Sequence, residues 1–239
     1  VKVISYSLWG NNPVYTIGAV RNADLAAQLF PEWVCIFYCF ESVPDTIVSQ
    51  LKSRSNCIVR IVKGVGDRKS AVYRFFPAEE QGVEYLICRD TDSRLSPREV
   101  LAVNDWIDKG TDFHVMRDHP YHGVPILAGM WGIRGGKVDG IRKYAEEYVS
   151  KMDGDYKFQD QDFLTSWMWS KVSNSHLSLT THDPFFTKSP FPYGAERGEK
   201  NMGVWFIGQC FDENDNYNSQ DDVDVVVKYE QNTNKLEIT

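Results

Sequence analysis

The sequence predicts one α/β domain whose central, mostly parallel sheet is flanked by helices. Three observations carry this expectation. Strand-like and helix-like segments alternate through the first half, as parallel strands joined by crossover helices require. Val34 to Phe40 is an almost unbroken apolar run, the pattern of a strand covered on both faces. The chain has 239 residues with 42% hydrophobic and 13% aromatic content, enough to bury one substantial core as a single unit.

Taken in order, Val3 to Leu8 reads as a strand and Gly10-Asn11-Asn12-Pro13 as a turn. A helix-compatible stretch follows to about Phe30, with mixed periodicity because Arg21 falls near its apolar face. After the strand Val34 to Phe40 come a short helix from Pro44 to Lys52, a strand from Cys57 to Lys63, a helix from Ser70 to Glu80 and a strand from Glu84 to Arg89. Ser96-Pro97-Arg98-Glu99 then has the form of a capped helix start, with Ser as N-cap, Pro at the first position and Glu to close a capping box. Phe113 to Arg117 and Ile126 to Ile133 read as strands. Asp139 to Met152 is a helix with an apolar stripe through Ile141, Tyr144, Ala145, Tyr148, Val149 and Met152. Asp160-Gln161-Asp162 opens a further helix, and from Thr181 onward the chain reads as loop apart from Val204 to Ile207 and Val223 to Tyr229. There is no internal repeat.

Net charge and cysteines narrow the classes. A formal charge of -7 argues against a nucleic-acid backbone as partner, since phosphate-backbone binding rests on clustered Lys and Arg. Five cysteines are an odd number, and Cys35, Cys39, Cys57 and Cys88 lie in apolar runs, which fits reduced core thiols better than a disulfide framework. No run reaches the roughly 20 apolar residues of a membrane span. No signal-peptide pattern stands at the start, and no Asn-x-Ser/Thr sequon is present. A cytoplasmic location is the expectation; because the sequence opens on Val1, a trimmed targeting segment stays open.

The chemistry concentrates at Asp90-Thr91-Asp92, on a short loop at the carboxyl end of the strand Glu84 to Arg89, the edge where open α/β sheets bind ligands. Two carboxylates one residue apart can share a hard divalent cation with a diphosphate. Short Asp-rich turns also arise as plain loop chemistry.

The block Arg89-Asp-Thr-Asp-Ser-Arg-Leu-Ser-Pro-Arg-Glu-Val, with His114-Val-Met-Arg-Asp-His-Pro-Tyr-His and Ile126-Leu-Ala-Gly-Met-Trp-Gly, resembles glycosyltransferases of the GT-A fold found in viral (chlorella-virus-like) and bacterial polysaccharide pathways. The resemblance runs from Tyr6 to about Phe211. It implies a single Rossmann-like domain over 1–239, with a nucleotide-binding half at 1–95, an acceptor and catalytic half at 96–211 and a tail at 212–239. It further implies transfer of a sugar from a nucleoside diphosphate donor, UDP-sugar favoured, to a saccharide hydroxyl, with Mn2+ or Mg2+ as cofactor. Asp92 is then the metal ligand, and Asp90 contacts the ribose or the metal through water.

By the same resemblance Leu8, Trp9 and Asn12 lie near the nucleotide base, and Arg74, with Arg68 as a weaker candidate, contacts the diphosphate. Thr91 belongs to the donor site. Asp162, and after it Asp160, face the reacting carbon from the acceptor side, where a carboxylate can take the acceptor's proton. An Asp at a helix start also serves as an ordinary cap. His119, Gly129 and Trp131 are the acceptor-side candidates, and His182 is the candidate to complete the metal shell from a C-terminal loop. Plain packing is the competing reading for Trp9 and Trp131, and a solvated loop side chain for His182.

Other readings fit less well. A haloacid-dehalogenase-type phosphatase would carry Thr or Val where Arg94 stands, with its motif near the N-terminus. A nucleotidyltransferase of similar architecture is the alternative enzyme, though no glycine-rich basic cluster for a triphosphate is evident. Asp212 to Asn216 begins like a calcium loop but has Tyr217 in place of Gly and Val223 in place of the bidentate Glu. A catalytically silent carbohydrate-binding module, using Trp167, Trp169 or Trp205, is the reading from a different class.

Overall fold

The computed structural model describes residues 1–154, 156–173, 177–186, 189–198 and 202–237. Among these, seven strands form one sheet: β1 (Lys2–Leu8), β2 (Trp33–Phe40), β3 (Cys57–Val62), β4 (Tyr85–Cys88), β5 (Phe113–Met116), β6 (Trp131–Arg134) and β7 (Leu179–His182). Their order across the sheet is β3-β2-β1-β4-β6-β5-β7. β6 runs antiparallel to its neighbours β4 and β5, and the remaining pairings are parallel. The carboxyl ends of β1 and β4 therefore open side by side on one edge of the sheet.

Strand alternation divides the core into two layers. Ile4, Tyr6, Phe37 and Ile87 point to the face covered by α1 (Pro13–Leu29), α2 (Asp45–Lys52) and α3 (Pro97–Lys109). Val3, Ile36 and Leu86 point to the other face, under a 3₁₀ helix (Arg68–Glu79), α4 (Ile141–Ser150) and α5 (Gln159–Phe163). Fully buried Trp106 packs edge-on to Tyr85 and donates its indole N–H to the Thr111 carbonyl at 2.9 Å, so this large ring is buried without an orphaned donor.

The opening elements follow the expected order. Asn12 caps α1, accepting the Val14 N–H at 3.1 Å, and Pro13 takes the first helical position. The mixed periodicity of α1 is resolved by small residues: Gly18, Ala19, Ala23 and Ala26 are buried and let the helix lie close to the sheet, while Arg21 points outward to Asp215.

Several elements differ from expectation. The stretch expected as a helix from Ser70 to Glu80 is a 3₁₀ helix, started by Asp67, which accepts the Lys69 N–H at 2.9 Å, and carrying Pro77 inside it. Its residues from Val72 to Phe76 are buried apart from Tyr73, so no single stripe dictates an α-helical face. Glu99 does not close a capping box on Ser96; its carboxylate pairs with Arg89 in an ion pair 2% exposed on each side. The strand expected from Ile126 to Ile133 begins only at Trp131, because the chain from Leu127 turns to pass the acidic loop. The helix opened by Asp160 is interrupted by a π turn at Leu164–Met168 before α6 (Trp169–Ser173). β7 was not expected, the segment Val223 to Tyr229 lies within a longer C-terminal helix α7 (Gln220–Glu237), and Val204 to Ile207 forms no strand. No helix among the described residues is long and apolar enough to cross a membrane.

Candidate active site

A cleft of about 790 Å³ opens where β1 and β4 end, a size in the usual range for small-molecule sites of about 300–1,000 Å³. One wall is formed by Leu8, Trp9 and Tyr15 after β1, with Gly66 and Arg68 from the segment after β3. The floor is Asp90-Thr91-Asp92 together with Arg74. Facing them are His122 and the turn from Leu127 to Met130, then Lys157, Phe158, Asp160 and Gln161 at the start of α5. Gly208 and Cys210, from the C-terminal segment, close the remaining side.

Arg74 is the electrostatic centre of the floor. Its guanidinium pairs with Asp90 through Nη1 and with Asp160 through Nη2 at 2.6 Å, and Nη1 also donates to the Arg89 carbonyl at 3.2 Å. One buried cation thus links the carboxyl end of β4 to the start of α5, two elements 70 residues apart in sequence (160 - 90 = 70). Burial raises the Asp160 carboxyl above the usual range, with Arg74 opposing. Asp92 is pushed up to about 6, first by desolvation and second by the charge of Asp90. Such a rise marks a carboxylate whose loss of water is not matched by the cations around it.

The acidic loop is held from beneath. Asn22 of α1 donates to the carbonyls of Thr91 at 3.3 Å and Ser93 at 2.8 Å and accepts the Leu95 N–H at 3.1 Å. Gly18, one turn earlier, allows the approach: a Cβ there would lie 2.1 Å from the Thr91 carbonyl oxygen. From the other end of the chain, Ser93 bridges to Cys210, the Phe211 N–H donates to the Asp92 carbonyl at 2.8 Å, and Arg94 bonds Asp215 and the Asp212 carbonyl at 2.9 and 3.0 Å. The Cys210 thiol lies near the Asp92 carboxylate and donates to the Gly208 carbonyl at 3.8 Å.

The structure brings Leu8, Trp9, Arg68, Arg74, Asp90, Thr91, Asp92, Gly129 and Asp160 to the cleft. It does not bring the others there. Asn12 is spent as the α1 cap. Asp162 is two residues past the cleft-lining Asp160 and lies near Tyr156 instead, whose hydroxyl is held above its usual pKa first by burial and second by the Asp162 charge. Buried His119 bonds the Asp222 carbonyl through Nε2 at 2.9 Å and accepts the Tyr121 N–H at Nδ1. Trp131 lies in β6, fully buried and stacked on Phe113. His182 sits in β7 rather than a loop, with one ring nitrogen 2.8 Å from His114 and the other 2.7 Å from Asp105, away from the acidic pair. Among the cleft residues unforeseen from sequence are Tyr15, His122, Lys157, Phe158, Gln161 and Cys210. Of the cleft and its supports, the mid-helix Asn22 among alanines carried a local signal, a polar residue on a buried stripe.

Among the described residues, no group of three or more His, Cys, Asp and Glu side chains is disposed to hold an ion. The adjacent carboxylates of Asp90 and Asp92, the latter under-compensated, nevertheless suit a hard cation that takes its other positions from diphosphate and water. The residues present fit Mg2+ or Mn2+ in that form.

Two consequences are measurable. A Cβ at Gly129 would lie 1.9 Å from Asp90 Oδ2, so Gly129→Ala must push that carboxylate off Arg74. The expected cost is about 1–3 kcal/mol of stability, read by urea denaturation; an unchanged midpoint would show that Asp90 moves freely.

His114 and His122 are both held neutral, His122 down to about 3, in each case chiefly by burial, with the charge of the neighbouring His182 or His119 second. Unfolded histidines protonate near about 6.5, so this contribution to stability is full above that pH and is lost as pH falls below it, by about 1.4 kcal/mol per ring at pH ~5.5. Buried carboxylates titrate in the opposite sense, so the readout is a difference. His122→Asn keeps an acceptor near the Asp118 N–H and should shrink the change in unfolding free energy between pH ~7.5 and ~5.5 by about 1.4 kcal/mol.

No family model matches the sequence, and no curated protein matches it. Solved structures do match in shape. A glycosyltransferase involved in glycosylation of the major capsid of PBCV-1 is 11% identical over 77% of this chain and 81% of its own, with TM-score 0.48. Staphylococcus aureus TarS 1-349, in complex with UDP, is 14% identical over 77% of this chain and 61% of its own, with TM-score 0.49. The 4-diphosphocytidyl-2C-methyl-D-erythritol synthase of Anaerococcus prevotii is 9% identical over 96% of this chain and 98% of its own, with TM-score 0.46. Likenesses this distant leave the chemistry to be argued from the chain's own residues.

Proposed function

We propose that the protein is a metal-dependent glycosyltransferase of GT-A type that moves a sugar from a nucleoside diphosphate, UDP first among them, to a saccharide hydroxyl. The observation that carries this reading is the under-compensated Asp92 beside Asp90 at the carboxyl end of β4, on the floor of a cleft of nucleotide-sugar size. Asp92 and Asp90 would hold Mn2+ or Mg2+, which neutralises charge on the departing diphosphate. Arg68 supports the same phosphates from the wall. Trp9 and Tyr15 offer rings to the nucleoside at the β1 end.

In this reading Asp160, not Asp162, is the carboxylate facing the acceptor. It lines the cleft, burial keeps it basic, and its two anchors leave lone pairs free: Oδ2 accepts from Arg74 at 2.6 Å and Oδ1 from the Gln161 N–H at 2.9 Å. It can take the proton of an attacking hydroxyl. Arg74 fixes Asp160 relative to Asp90, so the two ends of the reaction share one rigid reference.

Calorimetric titration with UDP, GDP and UTP, each with and without Mn2+, tests the reading. Metal-dependent binding of a nucleoside diphosphate is the expected result. Preference for UTP would move the assignment to nucleotidyl transfer, and no binding of any nucleotide would overturn it.

A further inference from the structure

Of the residues first expected to receive the acceptor, Gly129 lines the cleft but has no side chain, while His119 and Trp131 are buried away from it, so a side-chain platform for the acceptor has to come from elsewhere. We propose that Phe158, with Lys157 and Gln161 at its edges, is the platform on which the acceptor sugar stacks, the acceptor being a pyranoside that presents a C–H face. This rests on the glycosyltransferase reading above.

Phe158 lines the cleft, yet its side chain is left 44% exposed there. Tyr156 stands edge-on to it, with ring centroids 5.9 Å apart at 74°, and lies near Asp162. The ring is thus braced from the side while nearly half of the residue stays exposed. A half-exposed aromatic ring two residues from a cleft-lining carboxylate suits a ligand that is apolar on one face and hydroxylated around its rim, and a pyranose is such a ligand. Lys157, whose ammonium lies 5.6 Å from the Phe158 ring centroid, and Gln161 stand on either side in sequence and also line the cleft, supplying donors and an acceptor to ring hydroxyls.

Position in the chain argues for acceptor rather than donor. Phe158 precedes Asp160 by two residues at the start of α5. A sugar whose hydroxyl reaches Asp160 must lie beside it, and Phe158 is the open ring on that side of the cleft, whereas Trp9 and Tyr15 stand across the acidic floor. Asp162, which sequence reasoning placed at the reacting carbon, would act one step removed, by holding Tyr156 against the platform.

Saturation-transfer NMR tests this without knowledge of the natural acceptor. The wild-type protein with UDP and Mg2+ is mixed with the methyl glycosides of glucose, galactose and mannose, and the same is done for Phe158→Ala and Phe158→Tyr. At least one methyl glycoside should receive saturation on its C–H protons from the wild type, lose about fivefold or more of it with Phe158→Ala and recover it with Phe158→Tyr, while the UDP signal is the same in all three. Equal sugar signals from wild type and Phe158→Ala, or no sugar signal where UDP gives one, would overturn the platform while leaving the donor site standing. Loss of the UDP signal in the wild type itself would instead overturn the glycosyltransferase reading.

Discussion

Replacing Asp92 with Asn should weaken Mn2+-dependent UDP binding by about a hundredfold or more, because removing the charge from one of only two candidate ligands forfeits most of the ion's hold on the diphosphate. The same change should raise the melting temperature of the metal-free protein. Asp92 is desolvated and sits next to the charge of Asp90, so its ionised form is held against an electrostatic cost that a neutral amide of equal size relieves. The two effects have opposite signs, which separates a lost ligand from a damaged fold. Calorimetry and thermal denaturation read them directly; full UDP affinity in a stabilised Asp92→Asn protein would remove Asp92 from the site.

Asp160→Asn should leave UDP binding within about twofold and lower turnover by about 10²–10⁴, the range a positioned base contributes. Asn keeps the shape and an acceptor toward Arg74 but cannot take a proton. Asp162→Asn is the control, since that side chain lies near Tyr156 and does not line the cleft. Its effect should fall on acceptor KM rather than kcat. A variant pair in which Asp162→Asn abolishes turnover and Asp160→Asn does not would reverse the two roles.

What the sequence disclosed and what it hid divide along sequence separation. The elements up to β4 could be read because each announces itself within a few residues: the doubly buried apolar run of β2, the cap and proline that start α1, the strand that runs into Asp90-Thr91-Asp92. The 3₁₀ geometry of Arg68–Glu79 was hidden because most of its residues are buried, which erases the periodicity that separates one helix type from another. β7 is four residues long and flows into Asp183-Pro184, so its local pattern is that of a loop. The cleft residues beyond Asp90-Thr91-Asp92 were legible only in part, since what places Phe158, His122 and Cys210 beside the acidic pair is the reversed strand β6 and long-range bonds such as Arg74 to Asp160. The choice between Asp160 and Asp162 shows the limit. Two residues on a helix start point about half a turn apart, and only the position of Arg74 decides which faces inward.

The closing strand-like strap, from Gly208 to Asn218, carries a consequence for biosynthesis. Ser93, Asp92 and Arg94 are each bonded to residues that the ribosome makes more than a hundred positions later, Cys210, Phe211 and Asp215. A nascent chain can lay down β1 to β4 early, but its acidic loop stays without its last wall until translation has passed the strap. On the proposed function, nucleotide-sugar and metal would then engage only chains translated past the strap, and a premature stop anywhere before residue 210 would yield a protein with a sheet but an acidic loop lacking its last wall.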